Sequence, residues 1–139
     1  MTTRSVPLAA LLLLGACGGS SLTATLTAAA PTPVPDVFAC ARSQLETLGY
    51  RQSSIDVDVH RVTARRVDET VRRPDTRFRR SIDQLEIEVA PQPTGETGLT
   101  IQAKTLGEYI AQVGFILQQE EASDGVQAAA RAMLQACAK

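Results

Sequence analysis

The chain has 139 residues and a formal net charge of −1, with 14 Lys+Arg against 15 Asp+Glu, so neither sign dominates. That length excludes a large multidomain protein and leaves room for one small domain with flanking segments. Tryptophan is absent and aromatic residues make up 4%, so a core must be built from Leu, Ile, Val and Ala.

Residues 1–16 carry the three parts of an export signal. Arg4 gives a short positive region, Val6 to Leu14 is apolar, and small Gly15 and Ala16 precede Cys17. The run falls short of the roughly 18–20 apolar residues that span a bilayer as a helix. Ala16 alone would suit an ordinary secretory cleavage. Leu14-Gly15-Ala16-Cys17, however, resembles the lipobox of bacterial lipoproteins. The resemblance implies that Cys17 is alkylated by a diacylglyceryl group, cut free at its amino side and N-acylated, palmitate being the usual kind of chain. Each buried methylene adds ~0.8 kcal/mol and one chain anchors only marginally, whereas two or three make attachment permanent. Gly18 rather than Asp follows the cysteine, and the resemblance then implies sorting to the outer membrane of a cell that has two. The leader removes Arg4, leaving 13 basic residues against 15 acidic ones, a net of −2.

Residues 17–35 are Gly, Ser, Thr, Ala and Pro with almost no large apolar side chains. That composition buries too little surface to offset chain entropy, so a disordered tether is expected, stiffened by Pro31, Pro33 and Pro35. A single domain is expected over 36–139. Asp36 is a candidate helix cap. Phe38, Ala41, Leu45 and Leu48 form an apolar stripe at helical spacing, and Gly49 supplies the left-handed C-terminal position.

Beyond Gly49 the period changes to two. Strands are predicted at Tyr50 to Asp56, at His60 to Val67, at Asp83 to Ala90 and through Leu99, Ile101 and Ala103, with turn residues from Pro91 to Gly95. Ile110 to Leu117 extends the fourth strand, forms a fifth or opens the last helix. Ser123 and Asp124 start that helix, whose apolar face holds Val126, Ala130, Met133 and Cys137. The expected fold is α+β in two layers: a helix, a four-stranded antiparallel meander and a helix, both helices on the apolar face.

Cys40 lies early in the first helix and Cys137 at the end of the last. In an oxidising compartment the two form a natural disulfide, which requires α-carbons within roughly 7 Å. An even number of antiparallel strands between the helices makes them antiparallel and brings these ends together, which disfavours a separate fifth strand. Buried free thiols and a redox pair are the alternatives, although the close Cys-X-X-Cys spacing of a redox pair is missing.

Residues 61–80 hold eight arginines against Asp68, Glu69 and Asp75, a net of +5, while 81–139 hold eight acids against three bases. One reading is a solvated loop whose arginines pair with nearby acids. The sharper reading makes Arg72, Arg73, Arg77, Phe78, Arg79 and Arg80 a contact surface for phosphate or carboxylate, which guanidinium binds in bidentate fashion. Such anions in an envelope are lipid headgroups, lipopolysaccharide, cell-wall carboxylates or an acidic protein; the compartment argues against nucleic acid. Asp56, Asp58 and His60 would share one face of a continuous strand, where a metal could sit, but a turn gives the same string. Ser53, Ser54, Asp56 and His60 lack any nucleophile signature, and no glycine-rich phosphate loop occurs. No catalytic residue, metal or cofactor is assigned.

Ala39-Cys40, Leu48-Gly49-Tyr50 and Ala64-Arg65-Arg66 resemble the pattern of small bacterial lipoproteins in which a cysteine-bearing helix leads into a short sheet and a second such helix ends the chain. The resemblance covers most of 37–139 and implies no activity. The expected function is that of a lipid-anchored, non-enzymatic structural or interaction module of the cell envelope. The alternative is a ligand-binding module using the open sheet face or the arginine loop.

Overall fold

The alternating stretches around Leu85 and Leu99 become the spine of the protein. In the computed structural model, which describes residues 21–139, the elements are β1 (Ala24–Ala30), α1 (Val34–Thr47), β2 (Arg51–Asp56), β3 (Arg61–Asp68), β4 (Phe78–Pro91), β5 (Thr97–Ile110), β6 (Phe115–Glu120) and α2 (Asp124–Cys137). The sheet runs β1-β5-β4-β3-β2, with every pair antiparallel and β6 also paired to β5. Leu85, Ile87 and Val89 lie opposite Ala103, Ile101 and Leu99 in register, with Val62 and Ala64 beside them on β3. All are buried beneath Val37, Phe38, Ala41 and Leu45 of α1 and Val126, Ala130 and Met133 of α2. The α+β class and the two helices packed on one face follow the sequence pattern.

Helix α1 starts before Asp36. Pro33 is its cap residue and Pro35 sits in its first turn, where a missing N–H costs nothing, so Asp36 lies inside the helix rather than capping it. Its end is closed by Gly49 at φ +80°. The Gly49 N–H donates to the Glu46 carbonyl at 3.1 Å and the Tyr50 N–H to the Leu45 carbonyl at 2.8 Å, the paired bonds of a Schellman close. Helix α2 is capped by Ser123, whose hydroxyl accepts from the Val126 N–H.

The expected tether is in part a strand. Residues 24–30 pair with β5 from Ala103 to Thr97, so the folded domain begins at Ala24 and not at residue 36. Ala24, Leu26 and Ala30 face the core while Thr25 and Thr27 face outward, an alternation of period two built mostly from side chains too small to read as apolar. The sheet therefore has six strands, not four.

The disulfide between Cys40 and Cys137 is present, with α-carbons 5.7 Å apart, although β6 makes five strands between the helices. Counting strands fails because the step from β6 to α2 does not reverse the chain. Strand β6 leaves β5 at Thr105, where β1 takes over the same edge from Ala103. The chain moves onto the face and continues in the same direction as a helix. The end of α1 and the start of α2 then meet at Arg66, which donates to the Leu48 carbonyl at 3.2 Å and lies against Gly125.

Lengths decide what the helices leave bare. Each helix has 14 residues and spans about 21 Å. Strands β4 and β5 also have 14 residues each but extend about 46 Å. Their upper part, with β6, overhangs the helical layer.

Candidate functional site

Cys17 lies outside the described residues. Of the other sites, Asp56 ends β2 and residues 57–60 form a turn, not a continuous strand, so the face that Asp56, Asp58 and His60 would have shared does not form. The Asp56 carboxylate accepts from the N–H groups of Asp58 and Val59, and His60, at φ +50°, sets its ring edge-on to Phe38 at 5.3 Å. The Ser53 hydroxyl donates to the Thr63 carbonyl. Among the described residues no three His, Cys, Asp or Glu side chains are grouped to hold a metal, and no helix is long and apolar enough to cross a membrane.

The arginine stretch gathers on the overhang. Strand β3 ends at Asp68, residues 69–77 loop over, and β4 begins at Phe78. On the helix side, Arg73 forks onto the Glu120 carboxylate, donates to the Tyr109 hydroxyl at 2.9 Å and lies 4.4 Å over the Phe78 ring. Tyr109 in turn donates to Glu120 at 2.7 Å and meets Phe78 edge to face at 5.6 Å. The hydrogen bond from Arg73 holds the Glu120 carboxyl below the usual carboxylate range, and the bond to Glu120 raises the Tyr109 phenol. Gly107 makes the arrangement fit, because a Cβ there would meet the Tyr109 ring at 2.6 Å and collide with the Glu120 carboxylate.

A bulge between Phe78 and Arg80 turns Arg79 and Arg80 to the opposite face. Arg80 pairs with buried Glu108 at 3.0 Å, and Arg79 approaches it at 3.7 Å while stacking 4.5 Å over Phe115. Arg77 pairs with Asp75 at 3.4 Å, and among the described residues Arg72 donates only to the Glu69 and Val71 carbonyls. Farther along, Arg61 pairs with Glu88, Arg66 with Asp83, and Arg65 bonds Gln84. The positive excess of 61–80 is thus largely met by carboxylates of β4, β5 and β6. All six singled-out residues lie at one end of the sheet, and Arg72, Arg73, Phe78, Arg79 and Arg80 line one shallow hollow.

Two features escaped the sequence reading. Glu120, Tyr109 and Gly107 lay in or beside the ambiguous segment, and only the glycine among alternating residues marks a close approach there. The second is a buried polar node beneath the helix ends. Asp83 accepts from the Thr105 and Ser123 hydroxyls at 2.9 Å each and from Arg66 at 3.3 Å. Arg66 lies 4.6 Å over the Tyr50 ring, and burial of that phenol raises its pKa to about 12. The node ties α2, α1 and the sheet together.

Beside these paired groups, the hairpin joining β5 to β6 is apolar and wet. Ile110, Phe115, Ile116 and Leu117 are about half exposed and Val113 is 92% exposed. No family model matches the chain, and no curated protein does.

Proposed function

We propose that the protein is a lipoprotein of the bacterial cell envelope, held to the outer membrane by acyl chains on Cys17, and that its domain is a non-enzymatic structural or interaction module. The observation that carries the reading is the Cys40–Cys137 disulfide. It suits an oxidising compartment, and it occupies two of the chain's three cysteines. Cys17, at the end of Leu14-Gly15-Ala16, is the thiol left for acylation. The paired arginines and the Asp83 node support a surface built to hold its shape and meet a partner more than one built for turnover.

The attachment is short. With β1 starting at Ala24, six residues lie between it and Cys17, a contour of at most about 25 Å. The domain sits next to its membrane. Labelling of producing cells with a clickable fatty acid tests the reading: the native chain takes up label and Cys17→Ala does not. An unlabelled native chain would remove the anchor.

A further inference from the structure

We infer that the overhanging hairpin of β5 and β6 seats in the headgroup region of the bilayer that carries the Cys17 anchor; the inference rests on the lipoprotein reading. Strand β6 shows apolar side chains on both faces, Phe115 and Leu117 on the open side of the sheet and Ile116 on the helix side. No packing against the body of the domain buries both, because the helices end below them. Val113 at the tip is 92% exposed. An exposed tip that is apolar on both faces suits immersion in an apolar medium.

The surroundings match an interface in kind. Three of the chain's five aromatic rings, Phe78, Tyr109 and Phe115, lie at this end. Arg79 stacks on Phe115 with its side chain 50% exposed, and Arg77 is 70% exposed. Amphipathic rings and long cationic side chains that keep an apolar stem beside a charged head are the residues that settle at the level of phosphate groups.

The position of the chain's entry decides the occupant. Strands β1 and β6 share one edge of β5, and the Gln119 amide donates to the Thr23 hydroxyl at 2.9 Å. The chain therefore enters the domain at the foot of β6. Cys17 is six residues from Thr23, a reach of at most about 20 Å. Phe115 lies four residues along β6 from Gln119, about 13 Å, so the acyl chains and the hairpin reach one plane. The other exposed apolar turn, with Val57 and Val59, lies four strand spacings or about 19 Å across the sheet from β1. It is also at the opposite end of the strands from Thr23, since the register runs from Arg61 through Glu88 and Thr100 to Thr27. Tethering also raises the local concentration of lipid so far that a weak contact stays occupied.

The chain has no tryptophan, so a single introduced one reports its own surroundings. Acylated full-length Val113→Trp and Val57→Trp are reconstituted in vesicles of phosphatidylethanolamine and phosphatidylglycerol with brominated acyl chains, and the mass of the Cys17 peptide is measured on the same samples. The expected result is a blue-shifted emission at position 113 that bromine quenches several-fold more than at position 57. Equal quenching at the two positions, or none at 113 on a chain whose Cys17 is acylated, overturns the seating alone. A blue shift at 113 without bromine quenching, rising with protein density, assigns the hairpin to a second copy and overturns it likewise. An unmodified Cys17 overturns the anchor and the seating together.

Discussion

The two halves of the β4–β5 ribbon are held by different physics. The lower half lies under both helices, where Leu85, Ile87, Leu99 and Ile101 are fully buried and Cys40–Cys137 closes the layer above them. The upper half has no helix over it. Arg73, Glu120, Tyr109 and Phe78 grip one side and Arg79, Arg80 and Glu108 the other, with apolar residues left exposed at the tip. Apolar burial is non-directional and fixes a global fold, whereas the clasp is a few directional bonds near the surface that can open by themselves. The lower half is a foundation and the upper half an extension clasped above it.

The largest expected effect breaks the foundation. The disulfide spans a sequence separation of 97, and chain entropy gives a cross-link of that length up to about 4–5 kcal/mol. Cys137→Ala lowers the melting temperature of the whole domain and leaves Cys40 reactive to thiol reagents in the unfolded chain. Two free thiols at 40 and 137 in untreated native protein would remove the staple. Next comes Asp83→Ala, which strands the hydroxyls of Thr105 and Ser123 and the Arg66 guanidinium. The cost is about 2 kcal/mol, the size expected when buried hydrogen-bond partners lose their acceptor, because only the Asp83 side of the pair is buried and Arg66 is 35% exposed. It is read as a shift in the denaturation midpoint. A shift below about 1 kcal/mol, the size of a surface pair, would make the node dispensable.

These effects also explain what the sequence revealed. Both helices, the Gly49 close, the strands through Leu85 and through Ile101, and the cysteine pair are written in large apolar residues at strict periods or in residues of one conformational use. Strand β1 was hidden because Ala24, Ala28 and Ala30 hold most of its inward positions, with Thr25, Thr27 and Ala29 between them. Alanine carries little hydrophobic signal even where α2 packs on it. Strand β6 stayed one of three readings of Ile110 to Leu117 because its apolar residues are exposed on both faces, so no period of burial marks it. The parity of strands failed at one step, where β1 and β6 divide one edge of β5. Asp36 reads as a cap by type, yet Pro33 and Pro35 start the helix earlier. The arginines were visible as a charge excess, but the acids that meet them include Glu108 and Glu120, distant in sequence and near only through the antiparallel register.

The smallest effect separates the two halves most cleanly. Glu120→Gln weakens the fork from Arg73 while leaving the foundation untouched. Glu120 is 18% exposed and Arg73 34%, so the pair contributes about 1 kcal/mol, the upper end for a pair near the surface. Amide exchange over 115–120 should quicken about five-fold at neutral pH with the global melting temperature almost unchanged. The pH dependence carries the sign. The Arg73 hydrogen bond lowers the Glu120 carboxyl from its ordinary 4.5, so the opened overhang binds a proton more readily than the closed one. The stabilisation is complete above the ordinary value and is lost as pH falls through the lowered one. After correction for intrinsic exchange, β6 of the native chain should therefore loosen below about pH 4.5, and β6 of Glu120→Gln should show no such step. If native and variant exchange alike at neutral pH, the clasp holds nothing, and the hairpin is kept in place by its pairing to β5 alone.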